Sequence, residues 1–155
     1  MTAASPRRKR KPVSERADPR PVVLDANVFV AAQWNPRSAS AHVLRLCEDG
    51  LLRLCHTASI RREVYATLRN TRAPAEFVSR VRSLFNAGSD MRTTRRIRLV
   101  EDDPEDDKYL ECAVAAGATI ITNDQHLLRV GGCDGVEILR PTEFAKRTPV
   151  AGTQV

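Results

Sequence analysis

Short apolar runs alternate along the chain with stretches in which apolar residues recur every three or four positions. The runs have the length of buried strands, and the spaced stretches have the period of amphipathic helices. Strands are therefore predicted at residues 22–24, 52–55, 97–100, 118–121 and 136–139. Helices are predicted around residues 43–47, 59–70, 77–85, 110–114 and 127–128, with a last helix from Pro141. This alternation predicts an α/β domain with a largely parallel sheet.

Capping residues mark the ends of one predicted helix. Ser38 or Ser40 can cap the helix that carries residues 43–47, and Gly50 closes it in the C′ position. The segment before this cap, which contains Trp34, is predicted as a loop.

The chain of 155 residues has the usual size of one domain. We place this domain at residues 21–147, after a basic arm at 1–20 and before a flexible tail at 148–155. The arm carries a net charge of +5 and has almost nothing to bury, so we expect it to be disordered.

Neither a membrane span nor an export signal is visible in the sequence. No run approaches the roughly 18–20 consecutive apolar residues of a spanning helix, and residues 1–20 lack the apolar stretch of a secretory signal. A cytoplasmic location is therefore expected. Its cysteines are then expected to be reduced thiols, and they show no zinc spacing with a histidine. The residues concerned are Cys47, Cys55, Cys112, Cys133, His42, His56 and His126.

Charge is unevenly distributed outside the arm. The whole chain has a net charge of +6, but residues 36–98 carry +8 and residues 99–155 carry −6. A basic half fits contact with a polyanion such as nucleic acid. An acidic half is unexpected in a protein that only holds phosphate.

Acidic residues follow the ends of three predicted strands. Asp25 ends the first strand, the acidic run at 101–107 follows the strand at 97–100, and Asp124 lies three residues past Ile121. In an open parallel sheet the ligand crevice lies at the carboxyl ends of the strands. Three separate segments are therefore predicted to bring carboxylates to the same edge.

Helix capping is an alternative explanation for part of the acidic run. Asp103 followed by Pro104 matches an N-cap and N1 pair, which places Asp106 at N3 of a capping-box variant. Capping and solvation account in this way for Asp102, Asp103, Glu105 and Asp106.

Asp107 and Glu63 have no such local explanation. Asp107 lies beyond the capping turn and points along the buried side with Leu110. Glu63 borders the core, and no basic residue lies three or four positions from it. We interpret Asp107 as functional and leave Glu63 open between function and surface.

The remaining candidates are Asp25, Asn27 and Asp124. Asp25 has no capping role unless it begins a turn into the following helix. Asp124 can cap the turn at 126–128, and Asn27 either caps the next helix or supports Asp25.

Several carboxylates at one site repel one another unless a cation compensates them. Oxygen ligands without cysteine or histidine favour Mg²⁺ or Mn²⁺ over zinc. Such a site beside a basic half-domain fits metal-assisted hydrolysis of phosphodiester bonds. The arginines of residues 36–98 are expected to contact the phosphates.

Four motifs follow one another along the chain. They are VVLDANVF at 22–29, REV at 62–64, DPEDDKYL at 103–110 and IITNDQHLL at 120–128. In this order they resemble the PIN-domain ribonucleases, particularly the bacterial toxin-type branch akin to VapC. The resemblance covers about residues 21–145. It implies a three-layer sandwich with a mainly parallel central sheet of about five short strands flanked by helices, and Mg²⁺- or Mn²⁺-dependent cleavage of single-stranded or exposed RNA.

The resemblance also implies residue roles. It assigns the metal site to Asp25, Glu63, Asp107 and Asp124, with Asn27, Thr122 and Asp106 as polar support. Because Asp106 and Asp107 are adjacent, they can exchange roles. Within the basic half we expect RNA contacts from Arg61, Arg62, Arg95 and Arg96.

Members of this branch are commonly toxins that a protein antitoxin neutralises, and they often form homodimers. A toxin role with these partners is therefore the leading hypothesis, with an RNA-processing nuclease that has no antitoxin as one alternative. A non-catalytic RNA-binding module is a second alternative, although carboxylates beside phosphate do not help binding. A phospho-acceptor receiver domain is disfavoured, because the acid pair after its first strand and its late lysine are missing.

Overall fold

A five-stranded parallel sheet forms the centre of the domain in the computed structural model, which describes residues 18–93, 97 and 106–147. The strands lie in the order β3-β2-β1-β4-β5, and each neighbouring pair is parallel. Their bounds are β1 (Arg20–Leu24), β2 (Leu52–His56), β3 (Ser89–Asp90), β4 (Thr119–Ile121) and β5 (Ile138–Leu139). This architecture confirms the predicted α/β fold.

Seven helices flank the sheet in the described part of the chain. They are α1 (Ala26–Trp34), α2 (Ala39–Glu48), α3 (Ala58–Asn70), α4 (Ala75–Ala87), α5 (Asp107–Ala116), α6 (Gln125–Val130) and α7 (Pro141–Arg147). Helix α5 packs across β1, β2 and β4, while α2 contacts both β2 and α7.

The central strand β1 ends in a continuous buried apolar run. Val22, Val23 and Leu24 are each at most 1% exposed. A continuous apolar run is typical of a parallel strand that helices cover on both faces. Burying each of these side chains contributes about 1.5–3 kcal/mol, so β1 anchors the residue that follows it.

Helix α1 occupies the segment that we predicted as a loop. Its residues Ala26, Val28, Phe29 and Ala32 are buried where α1 packs on α2 and α3. Apolar residues surround most of this helix, so its sequence lacks the one-sided period that identifies an amphipathic helix. The prediction failed for that reason. Asn27 in its first turn and Trp34 at its end are exposed.

The predicted ends of α2 are found at Ser38 and Gly50. The Ser38 hydroxyl accepts a hydrogen bond from the backbone N–H of Ala41 at 3.0 Å, so Ser38 and not Ser40 is the cap. Gly50 follows the C-cap with φ of +77°, a left-handed conformation that glycine adopts without strain.

Both edges of the sheet differ from prediction. The expected strand at 97–100 falls outside the described residues except for Ile97, which is buried but belongs to no strand. The described edge strand is β3, which starts directly after Gly88. At the other edge β5 is shorter than predicted, because Val136 instead forms an isolated antiparallel bridge with Cys133.

None of the helices in the described ranges has the length and apolar run that a bilayer crossing requires. All four cysteines are free thiols, and Cys133 alone among them is not buried. The segments 1–17 and 148–155, which include most of the predicted arm and the whole predicted tail, lie outside the described residues. Arg20, the last residue of the predicted arm, is the first residue of β1.

Candidate active site

The candidate site lies at the carboxyl ends of β1 and β4. From β1 the chain continues to β2 and β3 on one side of the sheet and later to β4 and β5 on the other side. Open α/β sheets bind ligands at such a reversal of strand order. Asp25 directly follows β1, while Thr122 and Asp124 follow β4. The backbone N–H of Asp25 donates to the carbonyl of Ile121 at 3.3 Å and holds the two strand ends together.

Asp25 is buried and is held by two hydrogen bonds. Its Oδ1 accepts the backbone N–H of Asn27 at 2.7 Å, and its Oδ2 accepts the hydroxyl of Thr122. The first bond makes Asp25 the N-cap of α1. Asn27 therefore supports Asp25 through its backbone, because its own side chain is exposed.

Asp25 is costly to ionise in this position. Burial raises its pKa to about 6, although the hydrogen bonds from Thr122 and Asn27 act in the opposite direction. The negative charges of Asp124 and Glu63 raise the pKa of Asp25 further. Asp124, which we predicted to converge with Asp25, and Glu63 therefore both lie close enough to affect the ionisation of Asp25.

Thr122 connects Asp25 to Asp124. Its hydroxyl oxygen accepts the backbone N–H of Asp124 at 2.9 Å while its hydrogen is donated to Asp25. Asp124 in turn caps α6, because its Oδ1 accepts the backbone N–H of His126 at 2.8 Å. The loop after β4 thus fixes both carboxylates in one network of hydrogen bonds.

Asp106, Asp124 and His126 form a compact set of possible metal ligands. One donor atom from each lies within 4.8 Å of the other two. From the sequence we predicted a donor set of oxygens alone and placed His126 at the surface or in packing. The His126 side chain is 41% exposed, and its ring also lies beside Asp124, with 3.6 Å between Nδ1 and Oδ1.

Asp106 and Asp107 are both buried at the start of α5. The helix begins at Asp107 with Asp106 as its N-cap residue, so Asp106 does not occupy the N3 position that we predicted. Its side chain makes no capping hydrogen bond, because Asp106 already has a helical backbone conformation. The predicted caps Asp103 and Pro104 fall outside the described residues.

Glu63 reaches the site from the middle of α3 and is bound by two residues of α5. The Tyr109 hydroxyl donates to Glu63 Oε2, and Lys108 Nζ lies 3.3 Å from the same oxygen. We did not foresee either partner, because both come from a helix distant in sequence. Their position directly after the acidic run was the available signal.

The arginines expected to contact RNA differ in their surroundings. Arg61 Nη1 donates to His56 Nδ1 at 2.7 Å and to Asp90 Oδ1 at 2.8 Å, and its side chain is 27% exposed. Arg62 is exposed. Arg95 and Arg96 fall outside the described residues.

The arrangement fits a divalent cation. Its donors are mainly hard carboxylate oxygens, which Mg²⁺ and Mn²⁺ prefer, and a single imidazole nitrogen is tolerated better by Mn²⁺ than by Mg²⁺. A cation also offsets the repulsion that contributes to the raised pKa of Asp25.

Comparison with known proteins gives the following matches. A family model described as "PIN domain" matches residues 21–126. The crystal structure of PAE2754 from Pyrobaculum aerophilum superposes with a TM-score of 0.54 over 82% of this chain and 88% of that chain, at 15% sequence identity. At that identity the similarity shows the fold alone. No curated protein sequence matches the chain.

Proposed function

This chain belongs to the PIN domain family, and from that premise we propose that it is an Mg²⁺- or Mn²⁺-dependent endoribonuclease. PIN domains are generally metal-dependent nucleases that act on RNA. The observation that carries the proposal is the convergence of Asp25, Asp124 and Glu63 at the carboxyl edge of the sheet. Thr122 joins Asp25 to Asp124 by hydrogen bonds, and Tyr109 joins Glu63 to the residue after Asp25. A group that only binds phosphate would not be built from carboxylates.

The residues divide into ligands and groups that orient them. Asp106, Asp124 and His126 would offer donor atoms to the cation. Asp25 and Glu63 would join them, since Asp124 and Glu63 both act on the ionisation of Asp25, and for Asp107 a ligand role rests on the motif resemblance. When bound, the cation supplies Lewis-acid polarisation of a phosphoryl oxygen. Thr122 fixes the position of Asp25 relative to Asp124, because its hydroxyl donates to Asp25 and accepts the backbone N–H of Asp124.

RNA is the proposed substrate, in single-stranded or exposed form. The basic half of the chain, with +8 over residues 36–98, supplies side chains for backbone phosphates. Arg62 is exposed and available for this role. Arg61 already bridges His56 and Asp90, so we propose that it positions its neighbours more than it binds phosphate.

A toxin role is the finer part of the proposal. It rests on the resemblance of the motifs to the VapC-like branch and brings with it a protein antitoxin, a homodimer and a cytoplasmic location. The test is to identify a small reading frame immediately upstream and to express it together with this chain. A co-purifying product that abolishes RNA cleavage supports the toxin role, and its absence favours an RNA-processing nuclease.

Cleavage of RNA with mapped product ends tests the nuclease directly. We expect cleavage in Mg²⁺ or Mn²⁺, none in EDTA, and a loss of about 100-fold or more in Asp25→Asn, because removing even a residue that only orients a metal ligand typically costs 10–100-fold. Asp49→Asn changes an exposed acid at the end of α2 and is the matched control.

Two results would contradict the proposal. Wild-type cleavage retained by a folded Asp25→Asn variant would remove Asp25 from the site. Salt-sensitive RNA binding without cleavage in either metal would instead identify a non-catalytic RNA-binding module.

A further inference from the structure

Both contacts of Glu63 fall on one of its two carboxylate oxygens. Tyr109 and Lys108 each approach Oε2. Among the described residues no hydrogen bond or ion pair reaches Oε1. The carboxylate is therefore held in one orientation, with one oxygen occupied and the other available.

The Tyr109 hydroxyl also contacts the segment that carries Asp25. It accepts the backbone N–H of Ala26 at 3.4 Å, and Ala26 is the first residue of α1, directly after Asp25. One hydroxyl thus contacts both the backbone of Ala26 and the side chain of Glu63, which are 37 positions apart in the chain. Its ring is 1% exposed, so surrounding core residues hold the hydroxyl in place.

Such a contact matters because Asp25 and Glu63 repel each other. The Glu63 side chain is 34% exposed, and without a partner it can rotate towards solvent and reduce the repulsion. The hydrogen bond from the Tyr109 hydroxyl to Glu63 opposes this rotation.

We propose that Tyr109 is a positioning residue that sets the separation of Glu63 from Asp25 and so prepares the site for a divalent cation. This inference rests on the proposed function, because it assumes that the acids bind metal. Lys108 acts differently: its ammonium group lies beside Glu63 and over the Tyr109 ring, where it compensates the charge of Glu63.

Substitutions of Tyr109 and Lys108 are therefore expected to change the Mn²⁺ affinity in opposite directions. Tyr109→Phe keeps the ring and removes the hydroxyl, and Mn²⁺ affinity should fall about 10–100-fold, the usual effect of losing a group that orients a ligand. Lys108→Met removes a positive charge beside the acids, and Mn²⁺ affinity should rise about two- to tenfold.

Titration calorimetry with MnCl₂ on the full chain measures both effects without any substrate. Tyr65→Phe is the matched control. Tyr65 is the chain's other tyrosine, and its ring packs against Phe85. The melting temperatures of all variants without metal show whether Tyr109→Phe loses more stability than this control.

The outcomes separate this inference from the proposed function. Unchanged Mn²⁺ affinity in Tyr109→Phe, or an equal weakening in Tyr109→Phe and Lys108→Met, overturns the positioning role even if the wild type cleaves RNA. A second outcome is that the wild type binds Mn²⁺ but cleaves no RNA, while Mn²⁺ affinity falls in Tyr109→Phe and rises in Lys108→Met. This outcome supports the positioning role and overturns the nuclease.

Discussion

Three of the acidic residues at the site stand at the start of a helix. Asp25, Asp106 and Asp124 are the N-cap residues of α1, α5 and α6. The side chains of Asp25 and Asp124 cap their helices, whereas the Asp106 side chain makes no capping hydrogen bond. Capping and ligand binding are thus compatible at Asp25 and Asp124, where the backbone turns after a strand into a helix. The partial positive charge of helix N-termini also stabilises carboxylates that would otherwise repel one another.

The adjacent acids at the start of α5 can be distinguished by metal affinity. Asp106 is the one whose carboxylate lies within 4.8 Å of donor atoms of Asp124 and His126. We expect Asp106→Asn to weaken Mn²⁺ binding and RNA cleavage by about 100-fold or more, and Asp107→Asn to have a clearly smaller effect. Equal losses, or a larger loss in Asp107→Asn, would reverse the assignment of the two.

At the scale of elements, a buried histidine ties together one side of the sheet. His56 ends β2, its Nε2 lies 2.9 Å from the carbonyl of Phe85 in α4, and its Nδ1 accepts from Arg61 of α3. Arg61 continues to Asp90 in the edge strand β3. The neutral ring donates to one partner and accepts from the other, so this network requires an uncharged His56.

Stability should therefore depend on pH through His56. Burial lowers its pKa below the ordinary value of 6.5, although the Phe85 carbonyl and the charge of Asp90 favour protonation and Arg61 opposes it. The unfolded chain then binds more protons than the folded protein below about pH 6.5. The stabilisation is present above this pH and is lost as the pH falls.

Urea unfolding measures this effect between about pH 7.5 and pH 5.5. The free energy of unfolding should fall less over this range in His56→Gln than in wild type. His42→Gln, on α2, is the control and should follow the wild type. If the free energy of unfolding of His56→Gln falls with pH as steeply as that of the wild type, the pH dependence does not come from His56.

The residue before β3 is Gly88, and its position leaves no room for a side chain. A Cβ built on Gly88 lies 2.1 Å from the carbonyl oxygen of Leu54 in β2, so Gly88 allows the end of α4 to approach the sheet closely. We expect Gly88→Ala to lower the free energy of unfolding by about 1–3 kcal/mol, as overpacking usually does. Asn86→Ala, at an exposed position of the same turn, should have little effect in the same chemical denaturation.

At the scale of the whole molecule, net charge is a poor guide to RNA contact. Residues 1–17 hold six basic and one acidic side chain, so most of the net +6 precedes the described domain. The domain itself combines a basic region with an acidic site. This separation fits a protein that contacts phosphates in one place and holds a cation in another.

Removing residues 1–17 tests how much the terminal charge contributes. Deletion should stop before Arg20, because Arg20 lies in β1 with its guanidinium 5.4 Å from the Phe144 ring centroid. RNA binding is measured with Asp25→Asn, so that cleavage does not interfere. The slope of the logarithm of the binding constant against the logarithm of the salt concentration should decrease in magnitude by about 0.7 for each phosphate that residues 1–17 neutralise in the full chain. An unchanged slope would show that this segment does not bind RNA.

Local pattern was enough to predict β1, β2, β4, β5, the six helices α2 to α7, the parallel sheet and the placement of Asp25 and Asp124 after strand ends. Each of these depends on neighbouring residues: apolar runs for strands, period for helices, and the polarity of parallel strands for the shared edge. Helix α1 escaped this reasoning because burial on several sides removes the period that local pattern requires.

Packing between distant segments decided which side chains meet at the site and around it. The partners of Glu63 lie 45 and 46 positions away on α5, and Arg61 is engaged by Asp90, 29 positions along the chain. The choice between Asp106 and Asp107 likewise depends on which one meets the loop after β4. A linear chain contains no local signal for such contacts, because they form only when helices and strands are brought together by burial of the core.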